Sequence, residues 1–242
     1  MTNQVVINIL HLYPKEMNLY GDHGNILSIV RRCEWRNIKA NVIHYEPGDP
    51  LPKDVDIIFG GGGQDSGQGK IEQDLVKIGP WLKEKIDHDT PALLICGLYQ
   101  LAGHYFETSE GQRIEGCGIL DITTVGGPTR LIGNITINTP EFGQVVGYEN
   151  HSGLTKLGDK ALPFGTVTSG AGNNGDDFTE GVRYRNCIGT YLHGPLLPKN
   201  PRIADFLIKV ALDNKTGKIH TLRQLNDQIE QRAHDVAAKR PR

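Results

Sequence analysis

Short continuous apolar runs alternate with longer amphipathic stretches through the first hundred residues. Val5 to Leu10, Asn41 to Tyr45, Val55 to Phe59 and Ala92 to Ile95 read as strands. Between them, Ile26, Leu27, Ile29, Val30 and Trp35 suit a helix over Gly24 to Trp35, and Ile71, Leu75, Ile78, Leu82 and Ile86 recur at helical spacing. Strands alternating with helices predict an α/β fold with a central, mostly parallel sheet and helices on both faces. The near-obligatory hand of such crossovers narrows the layout further. From about Glu115 the texture changes to shorter β-like runs, Leu131 to Asn138, Gln144 to Tyr148, Gly181 to Tyr184 and Cys187 to Tyr191. Gly and Asn turns such as Gly170-Ala171-Gly172-Asn173-Asn174-Gly175 divide them, which predicts a mixed or antiparallel extension of the same sheet. Arg202 to Leu212 reads as a helix. Leu222, Leu225, Ile229, Ala233 and Val236 mark a second amphipathic one, which covers its own domain or meets a partner. Lys239 to Arg242 reads as a frayed end. No repeat or linker divides the chain, so residues 1–242 are expected to form one domain, with 200–242 as its C-terminal helical segment.

Composition narrows the class without naming a chemistry. The 242 residues are enough to bury a core without staples, and 38% hydrophobic with 22% charged residues is ordinary for a globular chain. A formal net charge of −2 gives no sign of nucleic-acid binding. The apolar runs are too short to cross a bilayer, and Met1-Thr2-Asn3-Gln4 lacks the basic start of a signal peptide, so a cytoplasmic protein is expected. Cys33, Cys96, Cys117 and Cys187 show no CxxC pairing and no metal-ligand spacing. In a reducing compartment they should be free thiols, with Cys33, Cys117 and Cys187 as packing residues and no metal site.

Cys96 has a different setting. The run Ala92-Leu93-Leu94-Ile95-Cys96-Gly97 places it at the end of a buried strand, with a Gly next and an apolar helix pattern after it. That is the layout of a nucleophile elbow, a sharp strand-to-helix turn that lifts one side chain above the sheet. The N-terminal N–H groups of the following helix favour thiolate. The alternative is a buried structural thiol. Four consecutive glycines, Gly60 to Gly63, follow the Val55 to Phe59 strand. A P-loop is excluded, because Gln64 stands where its first Gly belongs and Ile71 follows Lys70. A GxGxxG fingerprint also fails, since the run from Gly61 and Gly63 arrives at Ser66. What is left is an oxyanion hole beside Cys96, or a flexible turn. A thiol nucleophile needs a base, usually His. His193 precedes a Gly-Pro turn at the end of a strand-like run; His151 has a similar setting, and His104 lies near the elbow helix. The other six histidines read as surface or packing residues.

Together these features resemble the triad-family, or class I, glutamine amidotransferases. The likeness is strongest to their cobyric-acid-synthase-like branch, and within it to the glutaminase subunits of lipid II isoglutaminyl synthases. It is carried by Asn18-Leu19-Tyr20-Gly21-Asp22-His23-Gly24-Asn25, Phe59 to Gly63, Ile95-Cys96-Gly97 with Tyr99-Gln100, Gly147-Tyr148-Glu149-Asn150-His151, and Gly189 to Pro195. The resemblance implies a three-layer, flavodoxin-like fold. It implies that Cys96 attacks the side-chain amide of glutamine and that His193 activates the thiol and protonates the leaving ammonia. N–H groups near Gly62 and Gly97 would hold the oxyanion, Gln100 would shape the pocket, and Arg130 would take the substrate α-carboxylate, which suits its guanidinium fork. Without the resemblance, Arg130 is a surface residue before a strand.

Two departures from the branch stand out. Leu98 replaces the second Gly of the usual elbow and is expected to add bulk near the pocket mouth. Pro195 stands where the wider superfamily often has a Glu after its His, leaving Asp22 and Glu149 as candidate acids to orient His193. The chain itself shows no Walker motif and no obvious ATP site, so no cofactor is expected in it. The resemblance implies a separate MurT-type subunit, a Mur-ligase-like chain holding ATP and magnesium, in a heterodimer. That complex would amidate the α-carboxyl of D-glutamate in the stem peptide of lipid II, or of a soluble precursor. Two other readings stay open here: a cysteine hydrolase of the DJ-1 or peptidase type, and a non-catalytic scaffold for a synthetase.

Overall fold

The computed structural model describes residues 5–241; the readings made on Met1–Gln4 and on Arg242 fall outside them. Strands β1 (Val6–Leu12), β2 (Lys39–Tyr45), β3 (Ile57–Gly60) and β4 (Ala92–Ile95) alternate with helices α1 (His23–Glu34) and α2 (Asp65–Asp87), as the apolar pattern predicts. β3 and β4 are buried at every position, which is why they read as unbroken apolar runs. A short helix, α3 (Gly97–Leu101), follows β4 directly, and β5 (Tyr105–Glu107) and β6 (Arg113–Glu115) come next. The long β7 (Ile122–Thr139) and β8 (Gly143–Leu157) form a hairpin. β9 (Gly165–Ser169), β10 (Thr179–Glu180), β11 (Val182–Tyr184) and β12 (Cys187–Thr190) lead into α4 (Pro201–Thr216) and α5 (Gln228–Ala238).

The first sheet runs β11-β12-β4-β3-β1-β2, parallel throughout except for β11. On one side α1 and α4 pack together over β2 and β3. On the other, α2 and α3 bury Leu75, Leu82 and Leu98 against Leu12, Ile58 and Leu94. The antiparallel extension of this sheet is confined to β11. Most of the later strands form a second sheet, β10-β9-β7-β5-β6, with β8 on β7. The sequence expectation that all of them extend one sheet is corrected on this point. A hairpin as long as β7–β8 has its own pairing partners in β5 and β9 and needs no edge of the first sheet.

The C-terminal helix also differs from its predicted span. Leu222 and Leu225 precede α5, which begins after Asp227. Asp227 is bound to the buried Arg32 at 2.6 Å, and Arg32 also holds Asp205 of α4 at 2.7 Å, so the segment before α5 is tied across α1 and α4. α5 has no buried residue; Ile229 is 81% exposed, so the apolar stripe does not serve as a core-facing face. Pro241, in the stretch expected to fray, accepts the Asn134 side-chain amide through its carbonyl. Cys33, Cys117 and Cys187 are free thiols, as are all four cysteines. Burial pushes those three up to about 12, which leaves them protonated packing groups. No described helix is long and apolar enough to cross a membrane.

Candidate active site

β4 and β12 are parallel neighbours with Ile95 beside Thr190. The chain leaves each strand at the same end of the sheet, so the residues that follow meet there. Cys96 comes first. Its φ of 49° and ψ of −101° are unfavourable for an L residue, and it stands at the N-terminus of α3. Its N–H stays on Thr190 at 2.9 Å, so the strain is held by the sheet itself. This is the geometry of the predicted elbow, and such strain is commonly stored where a side chain must be lifted into a site.

Beyond Thr190 the chain is steered first by one carboxylate. Glu180 accepts the Tyr191 N–H at 2.7 Å and the Thr190 hydroxyl at 3.0 Å. His193 then pairs its backbone with Tyr148 of β8, donating its N–H at 2.8 Å and accepting at 3.2 Å. The second sheet thereby fixes the position of the imidazole. His193 is fully buried, and its Nδ1 lies 3.2 Å from Asp22 Oδ1. Nε2 is also buried and has no hydrogen-bond partner among the described residues. Burial lowers the basicity of this imidazole, but the Cys96 sulfur and the Asp22 carboxylate outweigh burial and hold its pKa above the ordinary histidine value.

Of the two candidate acids, Asp22 is the one that meets His193. Glu149 gives its two oxygens to the N–H groups of Ala171 and Gly172, each at 2.8 Å, and so holds the Gly-rich turn after β9. Pro195 packs on the first turn of α1, where a Cβ on Gly24 would lie 2.6 Å from its ring. That close approach brings Asp22, just before α1, up to the His193 loop.

The Gly60–Gly63 run is shaped by the same neighbours. A Cβ on Gly62 would lie 2.7 Å from His193 Cε1 and 3.2 Å from the Cys96 Cβ, so the two side chains meet over this residue. The Gly62 N–H, predicted as an oxyanion donor, is instead donated to Asp22 Oδ2 at 2.7 Å. Two other N–H groups, those of Gly63 and Gly97, have no acceptor among the described residues. The two residues are close neighbours, since a Cβ on Gly97 would lie 3.0 Å from the Gly63 nitrogen. The N–H groups left open beside Cys96 are therefore those of Gly63 and Gly97, and the expectation for Gly62 is corrected: its N–H seats Asp22. Leu98 is likewise corrected. It is 2% exposed and packs among Ile58, Leu75 and Leu94, facing the core and not the pocket mouth.

A cavity of about 420 Å³ opens on Cys96 and His193, within the usual range of small-molecule sites. Gln100 and Arg130, both predicted, line it. Arg130 reaches the cavity because residues 127–130 bulge from β7 opposite Ser152. Its guanidinium then rests on Asn150, 3.0 Å from Oδ1 and 2.9 Å from the carbonyl. Gln100 donates to the Tyr191 hydroxyl at 3.1 Å and accepts from Gln68 at 2.8 Å. Gln68, Asn150 and Tyr20 are wall residues that the sequence reading did not single out. Asn150 and Tyr20 fall inside the motif strings, but Gln68 is signalled only by lying at the start of α2, close behind the glycine run. His151 also lines the cavity. It lies flat on Tyr191 at 3.5 Å and donates from Nδ1 to the Gly153 carbonyl. Burial lowers its pKa to about 3, so it is neutral near pH 7 and cannot serve as a charged partner. Among the described residues there is no cluster of His, Cys, Asp or Glu able to hold a metal ion.

The arrangement can carry out nucleophilic acyl chemistry on a small amide: a thiol on a strained elbow, an imidazole held by a carboxylate, two N–H groups without a protein acceptor next to that elbow, and a guanidinium lining the same cavity. Comparison with known proteins agrees. A family model described as a CobB/CobQ-like glutamine amidotransferase domain matches residues 8–201. The chain is 41% identical over 235 residues to the lipid II isoglutaminyl synthase (glutamine-hydrolyzing) subunit GatD of Staphylococcus aureus strain N315, covering 97% of this chain and 96% of that one. It is 40% identical over 232 residues to the subunit of the same name from Streptococcus pneumoniae strain R6, covering 93% and 88%. A crystal structure of a glutamine amidotransferase shares the fold, with a TM-score of 0.60 at 13% identity over 84% of this chain and 98% of that one. On its site, its fold and these matches, the chain belongs to the CobB/CobQ-like glutamine amidotransferase family.

Proposed function

We propose that this chain is the glutaminase subunit of a lipid II isoglutaminyl synthase, with Cys96, His193 and Asp22 as its catalytic triad. The observation that carries the reading is the convergence of a strained Cys96 and an Asp22-bound His193 in one cavity with Arg130. Arg130 receives the α-carboxylate of glutamine and places the side-chain amide at the sulfur. His193 Nε2 already holds the thiol proton, the Cys96 thiolate adds to the amide carbon, and the oxyanion forms between Gly63 and Gly97. His193 returns that proton to the amide nitrogen, the C–N bond breaks, and ammonia leaves a thioester on Cys96. Water, deprotonated by His193, then adds to the thioester; glutamate departs and the sulfur regains its proton. Asp22 holds Nδ1 protonated throughout, so that Nε2 stays the nitrogen that accepts.

Ammonia is the useful product. Its acceptor is the α-carboxyl of D-glutamate in the stem peptide of lipid II, activated with ATP and magnesium by a MurT-type, Mur-ligase-like partner in a heterodimer. The names of the two GatD relatives, and their near-complete alignment with this chain, support this assignment. The test compares wild type with Cys96→Ala, each with its ligase, using glutamine or ammonium as nitrogen donor. The variant is expected to lose glutamate release and glutamine-dependent amidation while keeping ammonium-dependent amidation. Glutamine-dependent amidation that survives in Cys96→Ala would remove Cys96 as the nucleophile.

A further inference from the structure

The loop that delivers Asp22 carries a second group against His193. Tyr20 has a φ of 53° and Gly21 a φ of 79°, so two successive residues are left-handed. The conformation suits Gly21 and is uncommon for tyrosine. It is over-determined by its surroundings. The Leu19 N–H donates to the Gly62 carbonyl at 3.0 Å, the Asp22 N–H to the Leu19 carbonyl at 3.1 Å, and the His23 N–H to Asn18 Oδ1 at 2.9 Å. The reversal lets residues two apart approach one imidazole from different directions. Asp22 meets Nδ1, while the Tyr20 ring lies 5.0 Å from the imidazole, centroid to centroid, with planes inclined at 72°. His193 is fully buried although Tyr20 is 46% exposed, so the tyrosine ring is a wall between the imidazole and solvent. Tyr20 also lines the cavity that opens on Cys96.

We propose that Tyr20 is a positioning residue for ammonia release: its ring holds the His193 imidazole over Cys96 and keeps bulk water from it. The inference rests on the glutaminase reading. The ring does this work, since no hydrogen bond of the Tyr20 hydroxyl is found among the described residues.

The test uses the full chain with its ligase and reads kcat and KM for glutamate release from glutamine. Tyr20→Phe keeps the ring and is expected to match wild type. Tyr20→Ala and Tyr20→Gly remove it; kcat is expected to fall about three- to tenfold, the scale of one lost edge-to-face ring contact, with KM within about twofold. Tyr20→Gly separates position from folding, because glycine accepts the left-handed backbone and its Tm should equal or exceed that of Tyr20→Ala. Unchanged kcat in the Ala and Gly variants would overturn the proposal. So would a fall in Tyr20→Phe as large as in Tyr20→Ala, which would assign the effect to the hydroxyl. A rise in KM alone would make Tyr20 a substrate contact instead. Absence of glutamate release by the wild-type complex would instead refute the glutaminase reading, and this inference with it.

Discussion

Replacing Gly62 by alanine adds one methyl group where the Cys96 and His193 side chains meet. The new Cβ would lie 2.7 Å from His193 Cε1, 3.2 Å from the Cys96 Cβ and 3.3 Å from Asp22 Oδ2. Carbon atoms rest about 3.5–4.0 Å apart, so the imidazole would have to retreat by roughly 1 Å. It has nowhere easy to go. The ring is fully buried, its Nδ1 is held by Asp22, and its backbone is paired with Tyr148. The Gly62 backbone itself does not forbid alanine, since Gly62 is not among the positive-φ residues. The cost should therefore fall on alignment of the catalytic groups. A misplacement of about 1 Å at a reacting pair costs on the order of a hundredfold in rate. Gly62→Ala is expected to lower kcat/KM for glutamine about a hundredfold, measured as glutamate release by the complex, with ammonium-dependent amidation unchanged. Gly69→Ala is the control: its Cβ would meet nothing within 4 Å, it lies within α2, and alanine there favours the helix. A Gly62→Ala enzyme within about threefold of wild type would refute the claim that His193 is pinned over Gly62.

Two further outcomes follow from the buried acids. Asp22→Asn keeps an acceptor for the Gly62 N–H but offers an amide N–H to His193 Nδ1, which leaves Nε2 protonated and unable to take the thiol proton. Steady-state kinetics should show kcat for glutamine about a hundredfold lower or worse with the fold retained; wild-type kcat would dismiss Asp22 as the orienting acid. Burial raises the Glu180 carboxyl to about 8, against the opposing effect of the Tyr191 N–H and Thr190 hydroxyl. The folded state then holds a proton that the unfolded chain has lost, so this group's stabilisation is present at low pH and declines as pH rises towards about 8. Other groups titrate in that window, so the comparison is with Glu180→Gln. Urea unfolding midpoints of wild type should fall more steeply than those of the variant between the ordinary carboxyl range and about 8, and parallel curves would contradict the assignment.

What could be read ahead of the structure was short-range. The strand-Cys-Gly-helix run at Cys96 specifies its own turn, because a strained elbow needs only its two flanking elements and Gly97. The Gly60–Gly63 run announces close approach, but which N–H is free depends on where Asp22 lands, and it lands on the Gly62 N–H expected to be the donor. Leu98 departs from the branch pattern without touching the pocket, because its direction is set by packing between α2 and the sheet. The amphipathic pattern from Leu222 to Val236 has a helical period without a helix over its first part, since Asp227 is held by Arg32 and α5 starts only beyond it.

The alternation of strands and helices and the nucleophile elbow are legible in the chain alone, because both rest on residues close together, whereas His193 stands out from His151 and His104 only through the family resemblance. Which of Asp22 and Glu149 lies against His193 is visible in the packed molecule alone, because both are buried carboxylates in motif strings and what separates them is a contact across 171 positions. The same holds for the second sheet holding His193 through Tyr148, for the bulge at Arg130, and for the Tyr20 ring lying edge-on to the imidazole. Contacts of that kind arise when separate loops are packed to one end of a sheet, and neither period nor spacing along the chain encodes where those loops meet.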